Sequence, residues 1–558
     1  MKIDELIGRA VARLGGAHMF GVVGSGNFRA TNAALEAGVP FTGSRHEMGA
    51  ACMADAFAQT TGRLSVVTVH QGCGLSNALT GIGEAAKSRT PVLVLAGDTP
   101  GGEYESNFWI DQDNVVAGMG AVPERIYSPA SALRDIVRAV TTAIAGRRTV
   151  VFSMPLDFQR ADATPEQIAE LERLSPPVAP PAPGAAPESV AQIADRLRGA
   201  KRPVFVGGRG AVDAAGQIRR LADLTGALLT TTAVGRGLFN EDPWHLDVMG
   251  GFSTDGAAEL IREADVIVAF GAALNRWTTR DGSFIRDPYV IQVDDTVSAF
   301  GFHFPVDLEV LGDSALTAAA VADLLESEGP RVGYRTPETA ARVAASLNWS
   351  DQPFEDRTEP IDANDPSSGR IDPRALTNAI DAMVPMERVV VPDGGNFNAY
   401  PAMLLRVPDN DGYVIPLAFQ SIGLALASAI GTSIAQPDRV TIAGVGDGGF
   451  MMSLAELDTA VRMKLPLIVL VYNDHAYGAE VHHFEEETER LETVVFPETD
   501  IAAIGRGFGC EAITVRRLED LAPLQTWLDG PRNGPFLIDA KIADFPSWVL
   551  AHSFATHE

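Results

Sequence analysis

Short apolar runs alternate along the whole chain with longer stretches in which apolar residues recur at helical spacing. LSVVTV and PVLVLAG lie in the first third, PVFVGG and DVIVAFG in the second, and VTIAGVG and LIVLVYN in the last. A continuous apolar run bounded by helical patterns is what a strand buried on both faces of a parallel sheet requires. Two stretches lack any period. Residues 174–189 are rich in Pro and Ala, and residues 348–369 are polar, acidic and punctuated by Pro, so both read as linkers. The fold class expected is α/β, with three doubly wound parallel-sheet domains at 1–165, 185–345 and 370–545.

Composition narrows the functional class. The 558 residues carry a formal net charge of -28, which disfavours nucleic acid and anionic membrane as partners because both need a basic face. An anionic substrate would then have to be met by local positive charge. The three cysteines, Cys52, Cys73 and Cys510, form no CxxC pair, so neither a disulfide framework nor a zinc site is predicted. The opening MKIDELIGRAVARLGG is an amphipathic helix with charges throughout rather than a signal peptide, and residues 421–435 are too short an apolar stretch to span a bilayer. A cytoplasmic location is expected.

The densest chemistry lies in residues 439–474. They read as strand, a Gly446-Asp447-Gly448-Gly449 turn tolerant of positive φ, a helix from Ser453 to Met463, and a second strand ending at Asn473. In a right-handed βαβ unit, Asp447 and Asn473 both fall at the carboxyl ends of parallel strands, where open sheets bind ligands. A carboxylate, an amide oxygen and a backbone carbonyl suit magnesium, which takes its remaining oxygens from phosphate and water. Asp-Gly alone is an ordinary turn dipeptide. Its pairing with Asn473 on one unit is the informative feature.

This Gly-Asp-Gly, with Asn473 following the ELDTAVRMKLPLIVLVYND segment, resembles the thiamine diphosphate (ThDP) signature of the acetolactate synthase and 2-oxo acid decarboxylase superfamily. The resemblance implies pyrimidine-binding, central and diphosphate-binding domains, ThDP and Mg2+ as cofactors, and a homodimer or homotetramer. Asp447, Asn473 and the carbonyl of His475 would hold the metal. Gly446, Gly448, Gly449 and Tyr477 would sit against the cofactor, joined by Gly395 and Asn396 from VVVPDGGNFNAY. Ile422 would wedge between the two cofactor rings, and the backbone at Gln420 and Ile422 would bond the pyrimidine.

In the first domain, Glu47 opens a helix beside Met48, Cys52 and Met53, which are expected to wall it. RHEMGAA…ADAFAQTTGR resembles the family motif whose glutamate protonates N1′ of the aminopyrimidine. His70, ahead of Gly72-Cys73-Gly74, and Ser25 match the positions of a histidine and a serine in benzoylformate decarboxylase. Glu480 matches the glutamate of the pyruvate decarboxylase Asn-Asn-x-x-Tyr-x-x-Glu run. A lone His beside a strand is more often a core residue, and a Glu leading into Glu485–Glu487 is by default solvated. The family's Phe-Gln-Glu segment matches residues 107–114 only with a gap, leaving open whether Trp109 or Gln112 faces the cofactor. FAD is disfavoured, because Ala272-Ala273-Leu274 replace the Gly-x-Arg segment of acetolactate synthases. The function expected is cleavage or formation of the C–C bond next to a carbonyl, as a 2-oxo acid decarboxylase or carboligase. Alternatives are an acetolactate synthase-type acyl transferase, a 2-hydroxyacyl-CoA lyase and a non-catalytic homologue. The partner expected is a small 2-oxo acid or related carbonyl compound.

Overall fold

A computed structural model describes residues 1–346, 348–365 and 367–553. Three separate sheets form, and every strand pair within them is parallel, as the continuous apolar runs require. The first contains β1 (His18–Gly21), β2 (Phe41–Gly43), β3 (Ser65–Val69), β4 (Val92–Asp98), β5 (Val122–Arg125) and β6 (Val150–Pro155), in the order β2-β1-β3-β4-β6-β5. The second contains β7 (Pro203–Gly207), β8 (Leu228–Thr231), β9 (His245–Val248), β10 (Val266–Phe270), β11 (Tyr289–Asp294) and β12 (Leu308–Leu311), in the order β12-β11-β10-β7-β8-β9. The third contains β13 (Arg388–Pro392), β14 (Val440–Gly446), β15 (Leu467–Asn473), β16 (Glu511–Val515) and β17 (Phe536–Lys541), in the order β13-β14-β15-β17-β16. These are three parallel-sheet α/β domains, as the alternation of runs predicts.

Six helices position the site. In chain order they are α1 (Glu47–Thr61), α2 (Cys73–Ser88), α3 (Ala425–Ala435), α4 (Asp447–Ser453), α5 (Glu456–Arg462) and α6 (Gly478–Phe484). Helices α1 and α3 join the first and third domains over one continuous core that includes Ala50, Ala54, Leu426 and Ile430. Their approach depends on small residues, since a Cβ on Gly431 of α3 would collide with the carbonyl oxygen of Met53 on α1. The buried carboxylate of Glu456, at the start of α5, accepts from the backbone N–H groups of Arg45 at 3.0 Å and His46 at 2.8 Å. That contact fixes the entry to α1 from the opposite domain.

The segment after Gly446 departs from the sequence expectation. Helix begins at Asp447 itself, breaks, and resumes at Glu456, in place of one helix from Ser453 to Met463. Gly446 is extended with φ -82, and neither Gly448 nor Gly449 has positive φ. These glycines are required by close packing instead. A Cβ on Gly446 would lie 2.7 Å from the Phe397 ring, one on Gly448 would run into the Tyr477 ring, and one on Gly449 would lie 2.9 Å from Asp393 Oδ2. Among the described residues no helix is long and apolar enough to cross a membrane, and all three cysteines are free.

Candidate active site

The β14–β15 register pairs Gly446 with Tyr472, so the next residues, Asp447 and Asn473, stand side by side at the carboxyl edge of the third sheet. Asp447 is buried, and its Oδ1 has no hydrogen-bond partner. Burial raises its carboxyl above the usual range, while the neighbouring Asp474 carboxyl is raised strongly, first by burial and then by the Asp447 charge. Adjacent carboxyls of this kind, one buried and one half-buried, are stabilised in ionised form by a divalent cation. Asn473 Nδ2 donates to Asp539 Oδ1 at 2.8 Å, which orients the amide, and its oxygen accepts from His475 N at 3.2 Å with one lone pair left for a metal. His475 sits in the left-handed region with φ 60, a costly conformation for a non-glycine residue that marks a constrained site. Its carbonyl accepts from Phe496 N at 2.7 Å, which leaves one lone pair for a further partner. Among the described residues no group of three or more His, Cys, Asp and Glu is arranged for a metal. The Asp447–Asn473–carbonyl set draws only one ligand from those residue types and fits a hard oxygen-seeking ion better than a soft one.

A cavity of about 1560 Å³ opens between the domains, and one end of it is lined by Gly394, Gly395, Asn396, Gln420 and Ile422. Gln420 is a second non-glycine residue with φ 60. Gly395, with φ 131, needs to be glycine for conformation as well as space. Asp393 is wholly buried beneath these loops, accepting from Gly394 N at 2.9 Å and Gly423 N at 2.8 Å. Burial pushes its carboxyl up to about 6. Both polar atoms of the Asn396 side chain are engaged: Nδ2 donates to Phe545 O at 3.0 Å, and Oδ1 accepts from Ser547 N at 2.8 Å. The Asn396 side chain therefore pins the C-terminal segment, with one N–H and one oxygen lone pair left over for the cavity it lines. Ser547, Val549 and Leu550 of that segment line the cavity with Ala479 and His483 of α6. Residues 554–558 of the stretch lie outside the described residues. Glu480, on the same helix, is exposed and does not line this cavity.

The first-domain candidates form a second cluster. A Cβ on Gly24 would collide with the His70 ring, and one on Gly26 would lie 3.0 Å from His70 Nδ1, so the loop carrying Ser25 wraps the imidazole. The Ser25 side chain itself is exposed. The opposite side of the ring is stacked on Phe108, with centroids 5.1 Å apart. His70 Nδ1 accepts from Gln71 N at 2.7 Å, which assigns the proton of the neutral ring to Nε2. A Cβ on Gly74 would lie 3.0 Å from His70 Cβ and 3.4 Å from Glu47 Oε1, placing the two side chains around one glycine. Glu47 is half-buried and accepts from Asn77 Nδ2 at 3.1 Å. Cys52 and Met53 do not wall it. They are completely buried in the core shared with α3, because residues five and six positions along a helix point away from the first. Gln112 is buried and holds Gly72 N at 3.1 Å and Ser153 Oγ at 3.0 Å, so it supports the Gly72 turn from behind, whereas Trp109 is exposed. Among the described residues, no hydrogen bond, ion pair or ring contact joins Glu47, His70 or Ser25 to Asp447, Asn473 or Ile422.

Both clusters lie in segments that match known protein families. Residues 1–117 match the thiamine pyrophosphate enzyme N-terminal TPP binding domain, residues 190–321 the central domain, and residues 393–540 the C-terminal TPP binding domain. The chain is 26% identical over 539 residues to the sulfoacetaldehyde acetyltransferase of Castellaniella defragrans, covering 92% of this chain and 88% of that protein. It is 27% identical over 533 residues to a probable 2-ketoarginine decarboxylase of Pseudomonas aeruginosa, covering 93% and 89%, and 26% identical over 553 residues to an acetolactate synthase of Bacillus subtilis, covering 96% and 92%. With all three domains matched in order along one chain of the expected fold, the protein belongs to the thiamine pyrophosphate (thiamine diphosphate) enzyme family.

Proposed function

We propose that the protein is a ThDP- and Mg2+-dependent 2-oxo acid decarboxylase or carboligase. Bound ThDP supplies a nucleophilic carbon that adds to the substrate carbonyl and accepts the electrons left when the C–C bond breaks. The chain's own residues divide the remaining work. Asp447 Oδ1, the Asn473 amide oxygen and the His475 carbonyl hold the metal that neutralises the diphosphate. Ile422 and the backbone of Gln420 orient the ring system from one end of the cavity. Glu47 holds or gives a proton at N1′ of the aminopyrimidine. FAD has no part in this reading.

The observation that carries the choice of reaction is the setting of His70. Its ring is fixed between the Ser25 loop and Phe108, beside Glu47, with Nδ1 held by Gln71 N. A positioned imidazole that takes a proton from solvent would suit the final step of a decarboxylase, in which a proton must reach the carbon that lost carbon dioxide before an aldehyde leaves. The reading is tested by supplying ThDP, Mg2+ and a panel of 2-oxo acids, and measuring carbon dioxide with and without an acceptor aldehyde. His70→Ala is expected to slow aldehyde release and raise the share of 2-hydroxyketone. A second reading, acyl transfer to an acceptor, is supported by the relatives named as an acetyltransferase and an acetolactate synthase. Acceptor-dependent turnover that is indifferent to His70→Ala would favour it.

A further inference from the structure

At the far end of α2 from His70 lies a buried acidic group that the chemistry above leaves unassigned. Glu84 is completely buried, and its two carboxylate oxygens accept from consecutive backbone N–H groups of the third domain, Ala418 N to Oε1 at 2.9 Å and Phe419 N to Oε2 at 2.7 Å. Asp55 lies nearby on α1, accepting from Thr90 Oγ1 at 2.5 Å and Gln59 Nε2 at 2.8 Å. From the central domain, Arg209 donates to the carbonyl of Ser88. Three domains therefore meet around one carboxylate. Burying a charge costs several kcal/mol or more unless it is hydrogen-bonded, so a fully satisfied carboxylate here is a built feature of the junction.

What Glu84 grips is a turn under constraint. Immediately after Phe419 comes Gln420 with φ 60, and its own side chain donates back to Leu417 O at 2.6 Å. A left-handed non-glycine residue persists only where its surroundings determine it. The surroundings are first-domain: a Cβ on Gly83 would lie 3.2 Å from the Phe419 ring, and Lys87 Nζ stands 5.6 Å from that ring's centroid. Gln420 and Ile422 then line the cavity. Burial raises the Glu84 carboxyl, and the two N–H groups and Arg209 act against that rise, as a carboxylate working as a double acceptor needs.

We propose that Glu84 is a positioning residue for ThDP: from the first domain it locks the 417–420 turn of the third domain in the shape that presents the Gln420 and Ile422 backbone to the cofactor's aminopyrimidine. This rests on reading that turn as the pyrimidine cradle. The test is calorimetric titration of the full chain, with Mg2+ present, by ThDP and separately by inorganic pyrophosphate, which occupies only the diphosphate end. In Glu84→Gln one acceptor becomes an amide facing a backbone N–H, so ThDP affinity is expected to fall about tenfold. Pyrophosphate affinity is expected to stay within about twofold, since the hydrogen bonds of Glu84 go to Ala418 and Phe419 and not to Asp447, Asn473 or His475. Glu84→Asp, which keeps the charge but withdraws it by one methylene, should show the same selectivity and carries the test if the amide variant does not fold. Equal weakening of both ligands, the signature of a merely structural role, would overturn the proposal, as would no weakening of either. A wild-type chain that binds pyrophosphate but not ThDP would remove the pyrimidine reading beneath it, and is seen before any variant is made.

Discussion

Glu47 and Asp393 are both single carboxyls at the ends of apolar strands, yet their settings assign them opposite uses. Glu47 is half-exposed with one hydrogen bond, available to a ligand. Glu47→Gln keeps the shape and loses the proton, so ThDP binding should persist while turnover falls by about 10² to 10⁴, the usual worth of a general acid–base group. Proton exchange at C2 of bound ThDP, followed by NMR, should slow in parallel. Asp393 is sealed, and its value of about 6 stands above its ordinary 3.8. The fold thus holds the proton more tightly than the unfolded chain does. The stability this contributes is complete below about pH 4 and is lost as pH rises through about 6, by on the order of 3 kcal/mol. Asp393→Asn cannot titrate, so the stability difference between it and the wild-type apoprotein should shift in the variant's favour between pH 4 and pH 7 in thermal unfolding. Asp447 and Asn473 were legible in the sequence because one βαβ unit fixes their relationship. Asp393 and Glu84 were not singled out, because a carboxylate's meaning depends on partners that no local pattern names: the N–H groups gripping Glu84 are 334 and 335 residues away.

Among the elements, strands such as β4, β7, β10, β14 and β15 were the most legible, since each is a nearly continuous apolar run between breaks. The helices were read less well at α4 and α5, where the glycines signalled a turn but serve close packing against Phe397, Tyr477 and Asp393. Packing of α1 on α3 shows the same distinction. An exposed helical Gly→Ala change gains about 1 kcal/mol from helix propensity. At Gly431 the added methyl meets the Met53 carbonyl oxygen, which has no rotamer to retreat to, and overpacking of this kind costs about 1–3 kcal/mol. Gly431→Ala should therefore lower the thermal midpoint. Gly507→Ala, in the helix Ile501–Phe508 with open space around it, should leave the midpoint unchanged or raise it.

At the level of the molecule, the two clusters stay apart within one chain, and each is edged by exposed apolar side chains. Phe28 follows the Ser25 loop and Phe108 covers His70, while Met452 packs beside Gly423 next to Ile422. We propose that these two faces pair between copies of the chain. In a twofold dimer the first-domain cluster of one copy can complete the third-domain cluster of the other. Glu47→Gln and Asp447→Ala chains should each be inactive alone. Mixed under exchanging conditions they should regain about a quarter of wild-type activity, because half the dimers would be mixed and each would rebuild one of two sites. Light scattering on the same mixtures checks that the active species is a dimer or larger.

The bonds from Asn396 to Phe545 and Ser547, with the pairing of Ile371 to Ile542, set an order in time. Chains are made from the amino end, and domains fold as they emerge. The first sheet can close early, but the loop at Gly395 waits for a segment synthesised some 150 residues later, so the cofactor's cradle is among the last parts of the molecule to exist. Earlier still, before residues 418–435 are made, α1 waits without α3, and Glu84 without the two N–H groups that satisfy it. During synthesis the half-made protein therefore presents an unpaired alanine-rich face and an unmet carboxylate, and on the proposed reading of the cradle ThDP would load only after translation.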